Sequence, residues 1–197
     1  MNILIDRLPE SVEVDGEKFD INFDFRTSIL FEIMMQDDEL DERDKVFYAL
    51  NLYYPVIPKN KEEAVKKILW FYRGGKDAVL NGGKLEEGRN NMVYSYDFDA
   101  EYIYSAFLAQ YGVDLQESYM HWWKFRAMFK SLKDDNEFVK IMGYRAMNIT
   151  NTMSKEQQEF YRKMKKLHEI PRSKKENKKI EDIEKALLKD GDLSKVL

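Results

Sequence analysis

The chain is 197 residues long, 44% apolar and 14% aromatic, too rich in core-forming side chains for a disordered polymer. Charged residues make up 35%, above the usual value of about 25%, and the formal net charge is only −4. With no cysteine in the sequence, disulfides, thiolate metal sites and cysteine nucleophiles are excluded.

The opening residues Met1 to Arg7 lack the basic start and apolar run of an export signal. No apolar run approaches the ~20 residues of a membrane span. The sequence therefore predicts a cytoplasmic protein with no membrane contact. Charge is unevenly distributed: residues 1–44 carry 14 acidic and 4 basic side chains, and residues 155–180 carry 10 basic and 4 acidic. Such asymmetry points to charged partners or to association between copies.

Val12 and Val14 alternate with polar residues, Asp15-Gly16 supplies a turn, and Phe19 and Ile21 resume the alternation. This is the signature of a β-hairpin, to which Ile3, Leu4 and Ile5 could add a third strand. From Arg26 the apolar period becomes helical. Ile29, Leu30, Ile33 and Met34 form a first stripe, and Val46, Phe47, Leu50 and Tyr54 a second on a helix over about 41–53, stopped by Pro55 and Pro58. A third helix starts at Asn60, carries Ala64, Ile68 and Phe71, and ends at Gly74-Gly75, where glycine accepts the left-handed conformation. The glycine- and asparagine-rich stretch 81–95 predicts a mobile loop.

A fourth helix spans about 99–111 and stops at Gly112, with Asp97, Asp99 and Glu101 at the positive end of its dipole. A fifth, about 117–132, aligns Trp122, Phe125, Phe129 and Leu132, and a sixth, about 136–147, carries Phe138, Ile141 and Met142. Ser154 and Gln157 form a capping box for a seventh, whose narrow stripe is Phe160, Met164 and Leu167 beside Lys163, Lys165 and Lys166. Pro171 ends it. A basic linker follows, then a short amphipathic segment with Ile180, Ile183 and Leu187 on one face.

No constellation for chemistry stands out. Gly74-Gly75-Lys76 and Gly82-Gly83-Lys84 lack the first glycine and the Ser/Thr of a phosphate loop. Asp37-x-Glu39-x-Asp41 lacks the glycine and the twelfth-position glutamate of a calcium loop. His121 and His168 are the only histidines, so no paired-histidine metal site is available. Trp122, Trp123, Phe125 and Arg126, with Trp70, Phe71, Tyr72 and Arg73, would suit base stacking, but they lie on helix stripes and read better as core. The expectation is a protein that is not an enzyme and needs no cofactor or metal.

Several strings together carry a family resemblance: Val12-Glu13-Val14-Asp15-Gly16, Ile68 through Gly75 (ILWFYRGG), Tyr96-Asp97-Phe98-Asp99, Tyr111-Gly112-Val113-Asp114-Leu115 and above all His121-Trp122-Trp123-Lys124-Phe125-Arg126. Over roughly residues 1–170 the chain resembles the phage "gene product fifteen" family, encoded in tail modules of long-tailed phages and prophages of Gram-positive bacteria. The resemblance implies tail morphogenesis in the cytoplasm of an infected or lysogenic host. Proteins encoded beside the tape-measure protein are considered tail assembly chaperones that coat that client, recruit tail-tube subunits and are absent from the virion. The family brings no catalytic residues. Ten methionines fit such a role, since they offer soft, adaptable contact surface.

The predicted fold class is α+β, predominantly α: an N-terminal β-hairpin (1–24) packed on a multi-helix bundle within one domain (1–170), followed by a basic linker and short amphipathic helix (171–197). Partner-binding residues are expected at Ile180, Ile183, Leu187, Lys163 and Lys166, taking the tape-measure protein or other tail proteins, with a homo-oligomer also in view. One alternative is a structural component retained in the tail. Another is a nucleic-acid-binding accessory protein using Arg162, Lys163, Lys165, Lys166, Lys174 and Lys175, against which stands a pI near 5.4.

Overall fold

The structure is a computed structural model that describes residues 2–76 and 92–171. Strands β1 (Ser11–Val14) and β2 (Glu17–Asp20) pair antiparallel with Val12 opposite Phe19 and Val14 opposite Glu17. Asp15 (φ 50°) and Gly16 (φ 80°) make the turn, both in the positive-φ region that matches strand twist in two-residue hairpins. Val12 and Val14 point into the core. The expected third strand at Ile3–Ile5 does not form. Asn2 Oδ1 accepts from the Leu4 amide, and the Ile5 and Asp6 amides donate to the Asn2 carbonyl. This local turn takes the backbone groups a strand would need, and Leu4 and Ile5 stay exposed.

Seven helices follow among the described residues: α1 (Phe25–Met35), α2 (Glu42–Tyr53), α3 (Lys61–Tyr72), α4 (Ala100–Tyr111), α5 (Trp122–Lys130), α6 (Glu137–Ala146) and α7 (Lys155–Leu167). This is the mainly helical α+β architecture that the sequence predicts. Side chains of Asp24, Asp41, Asn60, His121, Asn136 and Ser154 cap every N-terminus except that of α4, each such cap contributing about 1 kcal/mol.

Three expectations shift. In α1 the buried positions are Phe25, Ser28 and Phe31, while Leu30 is 53% exposed. Ser28 Oγ and Tyr53 Oη share a hydrogen bond of 2.8 Å, so a polar residue marks the inner face and an apolar count misplaces it. In α2 the inner residues are Ala49, Leu50 and Tyr53, and Phe47 is 60% exposed. Helix α5 starts at Trp122, not near residue 117. The Arg26 guanidinium donates to the carbonyls of Leu115, Gln116 and Ser118 and holds that segment outside a helical ladder. The loop expected at 81–95 lies largely outside the described residues.

The two most distinctive strings of the sequence meet in space. At the end of α3, the Trp123 Nε1–H donates to the Phe71 carbonyl (2.7 Å), and the Trp122 Nε1–H and Arg126 Nη1 donate to the Tyr72 carbonyl (2.9 Å each). The last carbonyls of a helix have no partner within it, and a guanidinium there also meets the negative end of the dipole. His121-Trp122-Trp123-Lys124-Phe125-Arg126 is therefore a device by which α5 caps α3. Gly74 and Gly75 let the chain turn away at φ 78° and 76°. A Cβ on Gly75 would stand 2.5 Å from Trp123 Cη2. Gly75→Ala is expected to lower stability by more than about 1 kcal/mol, since a side chain fits neither this backbone conformation nor this space, measured by chemical denaturation; an unchanged midpoint would contradict this packing.

His121 begins α5 as an unusual cap. Its Nδ1 accepts from the Trp123 amide (3.0 Å), so its Nε2 carries the proton and donates to the Pro9 carbonyl (3.0 Å). Burial lowers its pKa, partly opposed by the Pro9 carbonyl and by Glu10. The unfolded chain takes up this proton more readily than the folded one. The stability held by neutral His121 is thus complete above the usual histidine pKa of about 6.5 and is lost as pH falls below it. Unfolding free energy measured from pH 8 down is expected to drop over that window, and His121→Asn, which keeps a cap without a titrating group, is expected to flatten the drop.

Candidate partner-binding site

Helix α7 is the least embedded of the described helices. Its capping box is complete, with Ser154 Oγ accepting from the Gln157 amide and Gln157 Oε1 from the Ser154 amide. None of its residues is buried. It lies on α6, where Tyr144 meets Phe160 edge-on and stacks on His168. One face, with Gln158, Tyr161, Lys165 and His168, is half-buried; Phe160 (48% exposed) and Leu167 (67%) stand beside that face rather than in it. Met164 completes the stripe at i, i+4, i+7 spacing. The expected partner-binding residues Lys163 and Lys166 are both exposed on the same helix. Ile180, Ile183 and Leu187 lie outside the described residues.

What fixes α7 in place is a buried ion pair. Arg145 on α6 grips Asp99 with two bonds (Nη1–Oδ2 2.6 Å, Nη2–Oδ1 2.8 Å) at side-chain exposures of 6% and 0%. Its Nη1 also donates to the Val93 carbonyl and its Nε to the His168 carbonyl at the end of α7 (2.6 Å). One guanidinium therefore ties together the start of α4, the segment before it, α6 and α7. Asp99 accepts from the Ser95 amide as well (2.9 Å). The sequence predicts dipole complementarity for Asp99, but it makes no cap bond; its partner is 46 residues away, beyond the reach of local patterning.

A second polar cluster joins the halves of the molecule. Glu32 on α1 accepts a hydrogen bond from the Tyr72 hydroxyl and lies within reach of Tyr94 and Arg126. Burial pushes the Glu32 carboxyl above its usual range, opposed by the Tyr72 and Tyr94 hydroxyls and Arg126. The Tyr94 hydroxyl is pushed up to about 12, first by burial and then by Glu32. The cluster holds one carboxylate among phenols.

The aromatic strings do not form a stacking platform. Phe71, Trp122, Trp123 and Phe125 are buried, and Trp70 and Tyr72 pack against the core. Among the methionines, Met120 is buried and Met34, Met128 and Met142 pack against the core. Met35 is 44% exposed, while Met147, Met153 and Met164 are half-buried. Among the described residues no helix is long and apolar enough to cross a membrane.

Fold and site together define a mainly helical protein that leaves one amphipathic helix largely uncovered at its edge. The chain belongs to the bacteriophage Gp15 protein family, matched over residues 4–170. Neither a curated protein nor a solved structure gives a match. The family match includes all the described helices, with α7 near its end.

Proposed function

We propose that this phage protein is a tail morphogenesis factor, a chaperone that binds the tape-measure protein or tail-tube subunits in the host cytoplasm without catalysing a reaction. The observation that carries this reading is α7: a well-capped amphipathic helix on which Phe160 and Leu167 stay accessible beside Lys163 and Lys166. Helix-in-groove recognition uses apolar anchors at this spacing. Covering what remains exposed of Phe160 and Leu167 would contribute about 1–2 kcal/mol each. Ile180, Ile183 and Leu187 form a second helical-spacing stripe further along the chain and would extend the contact. The lysines suit an amphipathic client helix with carboxylates along its border.

The test is co-expression of the full chain with the tape-measure protein. The expected result is a soluble client that co-purifies with this protein. A client equally soluble alone, with no co-purification, overturns the proposal. Mass spectrometry of purified virions is expected to find the protein absent. Abundant copies there would favour a structural tail component instead.

A further inference from the structure

We infer that, without client, the α7 stripe of one molecule is covered by the outer face of α2 from a second copy, giving a head-to-tail association. The α7 face is shared with the client-binding reading, but the test below uses no client and so stands or falls separately.

Two exposed apolar features of opposite charge setting carry this inference. On α2, Phe47 (60% exposed) and Tyr48 (44% exposed) pack edge-on against each other with ring centroids 5.6 Å apart, turned away from the buried Ala49, Leu50 and Tyr53. Asp37, Asp41, Glu42 and Asp44 lead into this face against Arg43 and Lys45, and Lys45 is directed back to the Met35 carbonyl (2.8 Å). On α7, Phe160 and Leu167 are exposed and the helix holds five basic residues against two acidic ones. Each surface offers an aromatic anchor, and each supplies the charge the other lacks. Complementary potentials of this kind fix register and suppress the pairing of like with like, so α7 on α7 and α2 on α2 are both disfavoured. A contact between two different faces leaves one of each free and grows into rings or chains. A client helix reaching α7 would displace the neighbouring copy.

The experiment is sedimentation velocity on the purified full chain over about 1–300 µM, the span in which a small two-helix interface is read. The mean mass is expected to rise with concentration from the 23.6 kDa monomer, and to fall back when salt is raised from ~0.05 to ~0.5 M as the charge attraction is screened. Phe47→Asp and Phe160→Asp are each expected to remain monomeric alone. Mixed in equal amounts they are expected to form a one-to-one dimer, because each retains the face the other has lost. Wild-type protein at monomer mass throughout overturns the inference. So does self-association that survives in Phe47→Asp alone, or a mixture that yields no dimer.

Discussion

Replacing Arg145 with methionine is expected to destabilise the fold by about 3–5 kcal/mol, because it leaves a buried carboxylate without its partner. Asp99 is 0% exposed and, among the described residues, would keep the Ser95 amide as its donor. For a chain of this size the melting temperature is expected to fall by roughly 2–4 °C per kcal/mol. Adding Asp99→Asn to Arg145→Met removes the stranded charge while keeping an acceptor for Ser95, and is expected to recover part of the loss. Calorimetry on the two variants checks this. A double variant no more stable than the single one would show that the cost lies in lost packing rather than in the unpaired charge. The substitution also releases the His168 carbonyl, so amide exchange in α7 is expected to speed up more than in α3.

Phe125→Ala is expected to cost a similar amount, about 3–5 kcal/mol, through the cavity it leaves. Phe125 is fully buried, with Phe25 and Phe107 stacked against it at 4.8 Å each and Trp122 and Phe129 close by. Those rings come from α1, α4 and α5, so little of the void can be closed by moving one element. The drop in denaturant midpoint is expected to exceed that of Phe129→Ala, since Phe129 is only half-buried. Equal drops would contradict the central place given to Phe125.

Much of this fold is legible in the sequence, and the parts that are not share a cause. The hairpin turn, the Asn60 cap, the Gly112 stop and the Ser154–Gln157 box are all local, and local chemistry decides them. The buried stripe Ala64, Ile68 and Phe71 follows from periodicity alone. The inner face of α1 does not, because it includes the polar Ser28, whose hydrogen-bond partner Tyr53 is 25 residues away. The start of α5 is set by Arg26 acting on a segment about 90 residues further on. The role of the double tryptophan as a cap on α3 needs both helices in place at once.

The candidate site is legible to a similar degree. The sequence shows the α7 stripe and its lysines, but periodicity cannot tell a stripe that enters the core from one that stays at the surface. The difference rests on α6 covering the neighbouring face, with Tyr144 stacked on His168 and touching Phe160 only edge-on, which leaves Phe160 half-covered and Leu167 outside. Phe47 is the converse case: its stripe position suggests core, and Ala49 and Tyr53 take that place instead.

The most direct test of the reading is calorimetric titration of a helical tape-measure fragment into the full chain, comparing wild type with Phe160→Asp/Leu167→Asp. Leu167 is largely exposed and Phe160 gives up only its edge contact with Tyr144, so stability is expected to fall by no more than about 1.5 kcal/mol. Binding is expected to weaken at least tenfold, about 1.4 kcal/mol, and the negative heat-capacity change that marks apolar burial is expected to shrink. Unaltered affinity in a variant that is folded and stable would show that a client docks elsewhere and would contradict the place proposed for α7.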